Sequence, residues 1–200
     1  MTHLVLGNTQ SAAMTSDVLN SMFKFRFEVF YEKLGWDVGS SNSREIDEYD
    51  RLNPHYLISL SDQNTTNGCW RLLPTVGPYM LRDTFPQLLR GEQAPAAENI
   101  WELSRFAVSA QSSDRQSQIA LNATAMQMMQ KLIEFADKNN IDEYVTVMSV
   151  AVERLMKRAG IPMQRFGDGK SEFVGKTRSV ASRIPVTPAL RAAVSQSLAA

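Results

Sequence analysis

Hydrophobic and polar positions along the chain switch repeatedly between a period of two and a period near 3.6. This pattern predicts alternating strands and helices rather than a repeat or an all-helical bundle. "THLVLG" reads as a short strand, and "SDVLNSMFKFRFEVFYEKLG" as a helix with Ser16 or Asp17 as its cap and Gly35 as its stop. Residues 36–53 are polar and serine-containing, and are expected to form a loop. "HYLISLS" and "GCWRLLPT" read as paired strands across the turn-prone "DQNTTNG". Residues 78–98, rich in proline, predict an irregular crossover with a short helix around "LRDTFPQLL". "NIWELSRFAVS" is the next strand, and a long helix is expected from about Asp114 to Lys138. "EYVTVMSV" then reads as a buried strand, "AVERLMKRAG" as a helix ending at Gly160, and "EFVGKTRSVASRIPV" as a closing strand region. The expectation is one α/β domain over residues 1–185 with a mixed central sheet. An Ala- and Ser-rich tail at 186–200 is weakly specified.

Composition narrows what such a domain does. At 200 residues with 44% hydrophobic and 21% charged positions, the chain suffices for one well-packed domain. Its 21 basic and 21 acidic residues balance to a formal charge of +0, so no global field draws it to nucleic acid or an anionic membrane. Any basic site must be local. The single Cys69 excludes an internal disulfide, and with only His3 and His55 a cysteine or histidine metal centre is not expected. The N-terminus lacks the basic start and apolar stretch of a signal peptide, and no run is long enough to span a bilayer. A cytoplasmic protein is therefore expected.

Several chemistries lack their motifs. No GxGxxG follows a strand, no GxxxxGK[ST] phosphate cradle occurs, and no GxSxG elbow supports an acyl-serine. What remains is a set of charges in apolar company. In "WELSRFAV" a regular strand places Glu102, Ser104 and Phe106 on one face and Leu103 and Arg105 on the other, unless a bulge intervenes. A charge on each face is costly unless each finds a partner. Arg71 in "CWRLLPT" poses the same problem. In "REIDEYDRLNPHY", Asp47 and Asp50 share one side of a helical turn or a loop, and Arg26 lies among apolar helix positions. Taken singly, each has an ordinary explanation: mutual ion pairing, solvated carboxylates or a snorkelling arginine.

Together, Arg26, Phe30, Trp36, Asp47, Asp50, Arg71, Phe85, Glu102 and Arg105 resemble the motif of the LuxI-type acyl-homoserine-lactone synthases, the autoinducer synthases of bacterial quorum sensing. "RFEVFYEKLGW", "DEYD", "CWRLLPT" and "ELSRFAV" match its blocks in order and spacing, from about Ser21 to Arg183. The resemblance implies an α/β/α sandwich similar to the GNAT acyltransferases. It also implies a two-step reaction. The α-amine of S-adenosylmethionine attacks an acyl thioester on acyl carrier protein, and its carboxylate then displaces methylthioadenosine to close the lactone. S-adenosylmethionine is then a consumed substrate, and no cofactor or metal is implied. Glu102, with Arg105, is implied as catalytic, the carboxylate drawing a proton from the ammonium directly or through water. Arg26, Phe30, Trp36, Asp47, Asp50, Arg71 and Phe106 are expected around S-adenosylmethionine, rings and acids facing the cation and guanidiniums its carboxylate.

An acyl chain needs an apolar chamber, for which Trp70, Met80, Leu103, Met126, Met129, Thr146, Met148, Ser149, Val152 and Met156 are candidates; any of the methionines also reads as plain core. Thr146 matches a position where relatives making 3-oxo products tend to carry threonine. Arg154, Lys157 and Arg158 on one helix suit docking of the acidic carrier protein, against the alternative of a solvated face paired to Glu153. A GNAT-type enzyme using acyl-coenzyme A is the competing donor reading. The glycine-free "SAQSSDRQSQIA" argues against it, because a pyrophosphate nest needs glycine there. A noncatalytic binder of adenosyl or acyl ligands would keep the aromatics but need no Glu102.

Overall fold

Strand β1 (His3–Gly7) opens a chain that the computed structural model describes over residues 3–36, 40–109 and 123–199. Packing separates two units, Met1–Leu72 with Arg105–Ser109, and Leu73–Ser104 with Ala110–Ala200. "SAQSSDRQSQIA" lies mostly outside the described residues, as does the expected start of the long helix near Asp114.

In the first unit, β1 pairs antiparallel with β4 (His55–Leu60), which pairs antiparallel with β5 (Thr66–Pro74). The end of β6 (Ile100–Val108) lies beside β5. Helix α1 (Ser16–Arg26) buries Met22 and Phe25 against a core that includes Val5, Ile58, Leu60 and Cys69. Each such side chain contributes about 1.5–3 kcal/mol when removed from water. The cap is Thr15, whose hydroxyl accepts from the Val18 N–H at 3.3 Å, rather than Ser16 or Asp17. The expected helix runs on to the predicted stop at Gly35 (φ +60°), but from Phe27 to Lys33 it widens into a π-helix. The loop predicted for 36–53 contains a small hairpin, β2 (Ser40–Ser41) and β3 (Arg44–Glu45), and a 3-10 turn at Glu48–Leu52.

The second unit is built on the first half of β6. That strand pairs in parallel with β7 (Glu143–Ser149), the arrangement a helical crossover permits. The irregular crossover holds α2 (Met80–Asp83) and a 3-10 turn at Pro86–Leu89. Helix α3 (Ala123–Asn139) buries Met126, Met129, Leu132 and Ile133, and the Tyr144 hydroxyl donates to the Leu132 carbonyl at 2.8 Å. Helix α4 (Val150–Arg158) begins on a Ser149 cap. The closing region is three strands. β8 (Gln164–Arg165) and β9 (Glu172–Val174) both pair with β10 (Thr177–Pro185), which pairs antiparallel with β7. The mixed parallel and antiparallel pairing with helices is the α/β class expected. The C-terminal segment read as weakly specified forms α5 (Pro188–Ala199), which packs on α3 and buries Leu190 and Val194.

Candidate active site

Three arginines read as awkward in the sequence converge in the first unit, and three carboxylates meet them. Arg26, at the end of α1 and fully buried, donates from Nε to Glu45 Oε2 at 2.5 Å. Its two terminal nitrogens form a fork onto Asp50 at 2.8 and 3.0 Å. Arg71, fully buried on β5, donates to Asp47 Oδ1 at 2.5 Å and to Asp50 Oδ1 at 3.0 Å. Arg105, on β6, donates to Glu45 Oε1 at 2.9 Å and Asp47 Oδ2 at 2.7 Å. The Tyr56 hydroxyl adds a bond to Asp50 at 2.8 Å. Positive and negative charges thus balance three to three, which is how buried ions avoid an uncompensated desolvation cost. The snorkelling reading of Arg26 and the solvated reading of the acids are both excluded.

Local sequence sets this geometry. Asp47 caps the 3-10 turn, accepting from the Tyr49 and Asp50 N–H groups at 3.0 and 3.2 Å, while Asp50 reaches back to the Asp47 N–H at 2.9 Å. This reciprocal box orients both carboxylates through local hydrogen bonds that do not involve the arginines. Burial, the largest single influence, would raise the Glu45 and Asp50 carboxyls, but their partners together outweigh it, Arg26 foremost among them at both. Arg105 at Glu45 and Arg71 at Asp50 add to this, so both lie below the usual carboxylate range. Burial works against the Arg26 guanidinium too, yet Asp50 and Glu45 hold it protonated well above its ordinary value.

Aromatic residues adjoin the cluster. Phe30, buried in the π-helical turn, stacks on Trp36 with ring centroids 5.1 Å apart, and the Arg105 guanidinium lies 5.7 Å from the Phe30 centroid. Single π turns recur at functional sites because the extra residue re-aims side chains. Here the Trp36 N–H bonds back to the Phe30 carbonyl at 2.9 Å, bringing the two rings together. Trp70, proposed for the acyl chamber, stacks on Phe106 at 4.3 Å, and its buried indole N–H lacks a hydrogen-bond partner among the described residues.

Arg105 also breaks the expected alternation of β6. Its φ of +57° is left-handed, a conformation that costs a non-glycine residue about 1–2 kcal/mol. Its ion pairs and a bond from the Cys69 thiol to its carbonyl at 3.3 Å hold it there. Three residues earlier, in the second unit, Glu102 is nearly fully buried. Its carboxylate accepts the Met80 and Leu81 N–H groups at 3.0 and 2.7 Å, at the start of α2. The charge on each face of the strand is satisfied in a different way, by arginine counter-ions on one hand and backbone donors on the other.

Also in the second unit, Met80, Leu103, Met126, Met129, Thr146, Met148 and Met156 are buried and Val152 is half-buried. Leu103 pairs with Thr146 across β6 and β7. Phe85 is half-buried before the 3-10 turn. The Ser149 hydroxyl is used to cap α4. Arg154, Lys157 and Arg158 are exposed on α4, as a docking face requires. Glu153 is buried and pairs with Lys157 at 2.8 Å and with Arg165 at 2.5 Å, so the local-partner alternative holds for Lys157. A groove of about 570 Å³ between the end of α4 and α5 shares only Arg158 with the predicted residues.

Sequence reasoning missed Glu45. Charge counting could have found it, since three buried arginines had only Asp47 and Asp50 assigned to them, and Glu45 stands two residues before Asp47. Tyr56 was missed because a strand tyrosine carries no such signal.

Comparison with known proteins identifies the family. The autoinducer synthase family model matches residues 10–194. The acyl-homoserine-lactone synthase of Vibrio anguillarum is 44% identical over 195 residues, 97% of this chain and 99% of that protein. The solved structure of the acyl-homoserine-lactone synthase LasI superposes with a TM-score of 0.86 at 37% identity, covering 97% of this chain and 94% of that one. A coenzyme A-dependent acyl-homoserine lactone synthase, BjaI, solved with S-adenosylmethionine and isopentyl-coenzyme A, shares the fold. Its TM-score is 0.83 at 24% identity, with 98% and 89% of the two chains covered. With a family model matched over most of its length and a relative 44% identical across nearly the whole of both proteins, the chain belongs to the autoinducer synthases, the acyltransferase family of the acyl-homoserine-lactone synthases.

Proposed function

We propose that the acyl acceptor is S-adenosylmethionine, the donor a 3-oxo-acyl thioester of medium to long chain on acyl carrier protein, and the product the corresponding N-acyl-homoserine lactone. The observation that carries the reading is the buried cluster of three guanidiniums and three carboxylates beside the Phe30–Trp36 pair. Its acids are neutralised by arginine, so the substrate's positive charges meet ring faces rather than free carboxylates. The cluster's task is to hold those rings and Arg105 rigidly in place.

The first step needs a neutral amine. Glu102, fixed by two backbone donors, takes the ammonium proton directly or through one water, and the amine then attacks the thioester carbonyl. The carrier's thiolate leaves. In the second step the substrate carboxylate displaces methylthioadenosine from the carbon bonded to the sulfonium, closing the ring. Both partners sit in one molecule, which makes this step fast. The exposed Arg154 and Arg158 support a carrier-protein donor over acyl-coenzyme A, while Lys157 is paired to Glu153.

Steady-state kinetics with carrier-bound and coenzyme A thioesters of one acyl chain test the donor. A kcat/KM at least tenfold higher for the carrier thioester is expected, and equal values would overturn the assignment. In the same assay, Glu102→Gln is expected to slow acylation by about a hundredfold or more. Trp36→Ala should act mainly by raising the KM for S-adenosylmethionine.

A further inference from the structure

We propose that Ser182 is a further specificity-determining residue, its hydroxyl joining that of Thr146 in holding the ketone oxygen at carbon 3 of the acyl chain. The inference rests on the reading of the substrate as a 3-oxo-acyl thioester and adds a residue to it. Ser182 is on β10, fully buried, and its hydroxyl has no hydrogen-bond partner among the described residues. The β7–β10 register puts it directly opposite Thr146, itself buried, where facing Cβ atoms are about 4.5–5.5 Å apart. The two hydroxyls are therefore neighbours on one face of the sheet, yet they are not bonded to each other.

The rest of that face is apolar or already satisfied. Along β10 the same face carries Val180 and Ile184, and along β7 it carries Met148 and Tyr144, whose hydroxyl is spent on Leu132. Leu103 extends the row on β6. A serine in such a row is costly, because a buried hydroxyl without a partner loses the hydrogen bonds it makes in water. Alanine or valine would pack there without that cost.

A ketone oxygen explains the pair. It has two lone pairs and accepts two donors, and a serine and a threonine hydroxyl supply one each. An unsubstituted methylene at the same place would leave both hydroxyls unsatisfied, so the pair discriminates between the two chains more sharply than either hydroxyl alone.

The test is a competition between 3-oxo-acyl and unsubstituted acyl carrier protein thioesters of equal chain length, with S-adenosylmethionine and the full-length protein. Lactone products are read as a ratio by mass spectrometry. Wild type is expected to favour the 3-oxo product, with Thr146→Val and Ser182→Ala each lowering the ratio about fivefold or more. Thermal melts accompany each variant. Ser182→Ala removes only an unsatisfied hydroxyl, so its Tm should not fall. A Ser182→Ala protein that keeps the wild-type ratio while Thr146→Val loses it would overturn the pair and leave the 3-oxo reading standing. A wild-type enzyme without 3-oxo preference would overturn both, and absence of any lactone would overturn the reading on which the inference rests.

Discussion

Replacing Glu45 by glutamine should unbalance the buried cluster by one full charge. Glu45 is fully buried and receives Arg26 at 2.5 Å and Arg105 at 2.9 and 3.1 Å. Breaking a buried ion pair by removing one partner typically costs about 3–5 kcal/mol, because a charge stays behind without its counter-ion. The lower end applies here, since Arg26 keeps its fork onto Asp50 and Arg105 keeps Asp47. A loss of about 3 kcal/mol is therefore expected. The assay is urea unfolding at pH 7, followed by tryptophan fluorescence and far-UV circular dichroism, with coincident transitions as the check on two-state behaviour. A double-mutant cycle with Arg26→Met isolates the pair itself and should return a coupling above 1 kcal/mol. A Glu45→Gln cost below about 1 kcal/mol, with unchanged slope, would refute the argument that charge balance holds this region together.

Three further outcomes follow from the same geometry. Glu45 and Asp50 titrate lower in the folded protein than their ordinary 4.5 and 3.8, so their stabilisation is complete above about pH 5 and is lost as pH falls further. Urea midpoints at pH 7, 5 and 4 should show little change between the first two and a clear drop at the third, and the drop should be smaller in Glu45→Gln. Burial pushes the Cys69 thiol up to about 12, so it should resist a thiol reagent at pH 8 until the protein is unfolded. Reversing Arg154 and Arg158 together to glutamate should raise the apparent KM for the carrier thioester about tenfold or more at low salt, with little change for S-adenosylmethionine. For the wild type the same KM should rise with salt; equal KM values for the reversed and native proteins would place the docking face elsewhere.

Elements set by local rules were legible in the sequence, and features set by tertiary partners were not. The short apolar, β-branched runs of "HYLISLS" and "EYVTVMSV" and the left-handed stop at Gly35 specify β4, β7 and the end of the first helical segment without reference to other parts of the chain. The π-helical turn at Phe27–Lys33 has no periodicity of its own, because it is an α-helical sequence with its hydrogen bonds shifted by one residue. Arg105 was legible as a charge in need of a partner, yet its left-handed φ is held by contacts to Glu45, Asp47 and Cys69, which are far away in the chain. Helix α5 has alanines that favour a helix but only a sparse apolar face, so its place was not legible until Leu190 and Val194 had α3 to pack on. At the site, motif order identified the arginines and two of their acids, whereas Glu45 lies outside the motif and was open only to a count of acids against arginines. The sequence also placed Glu102 on a strand without showing that the start of α2 supplies its donors.

The proposed reaction is the joining of an acyl group to S-adenosylmethionine followed by closure of the lactone. It is tested most directly by incubating the purified protein with S-adenosylmethionine labelled in the methionine carbons and an acyl carrier protein thioester, then following products by mass spectrometry. A labelled N-acyl-homoserine lactone and methylthioadenosine are expected in equal amounts, both falling about a hundredfold or more in Glu102→Gln. Release of free carrier thiol without labelled lactone, or lactone formation at an unchanged rate in that variant, would contradict it.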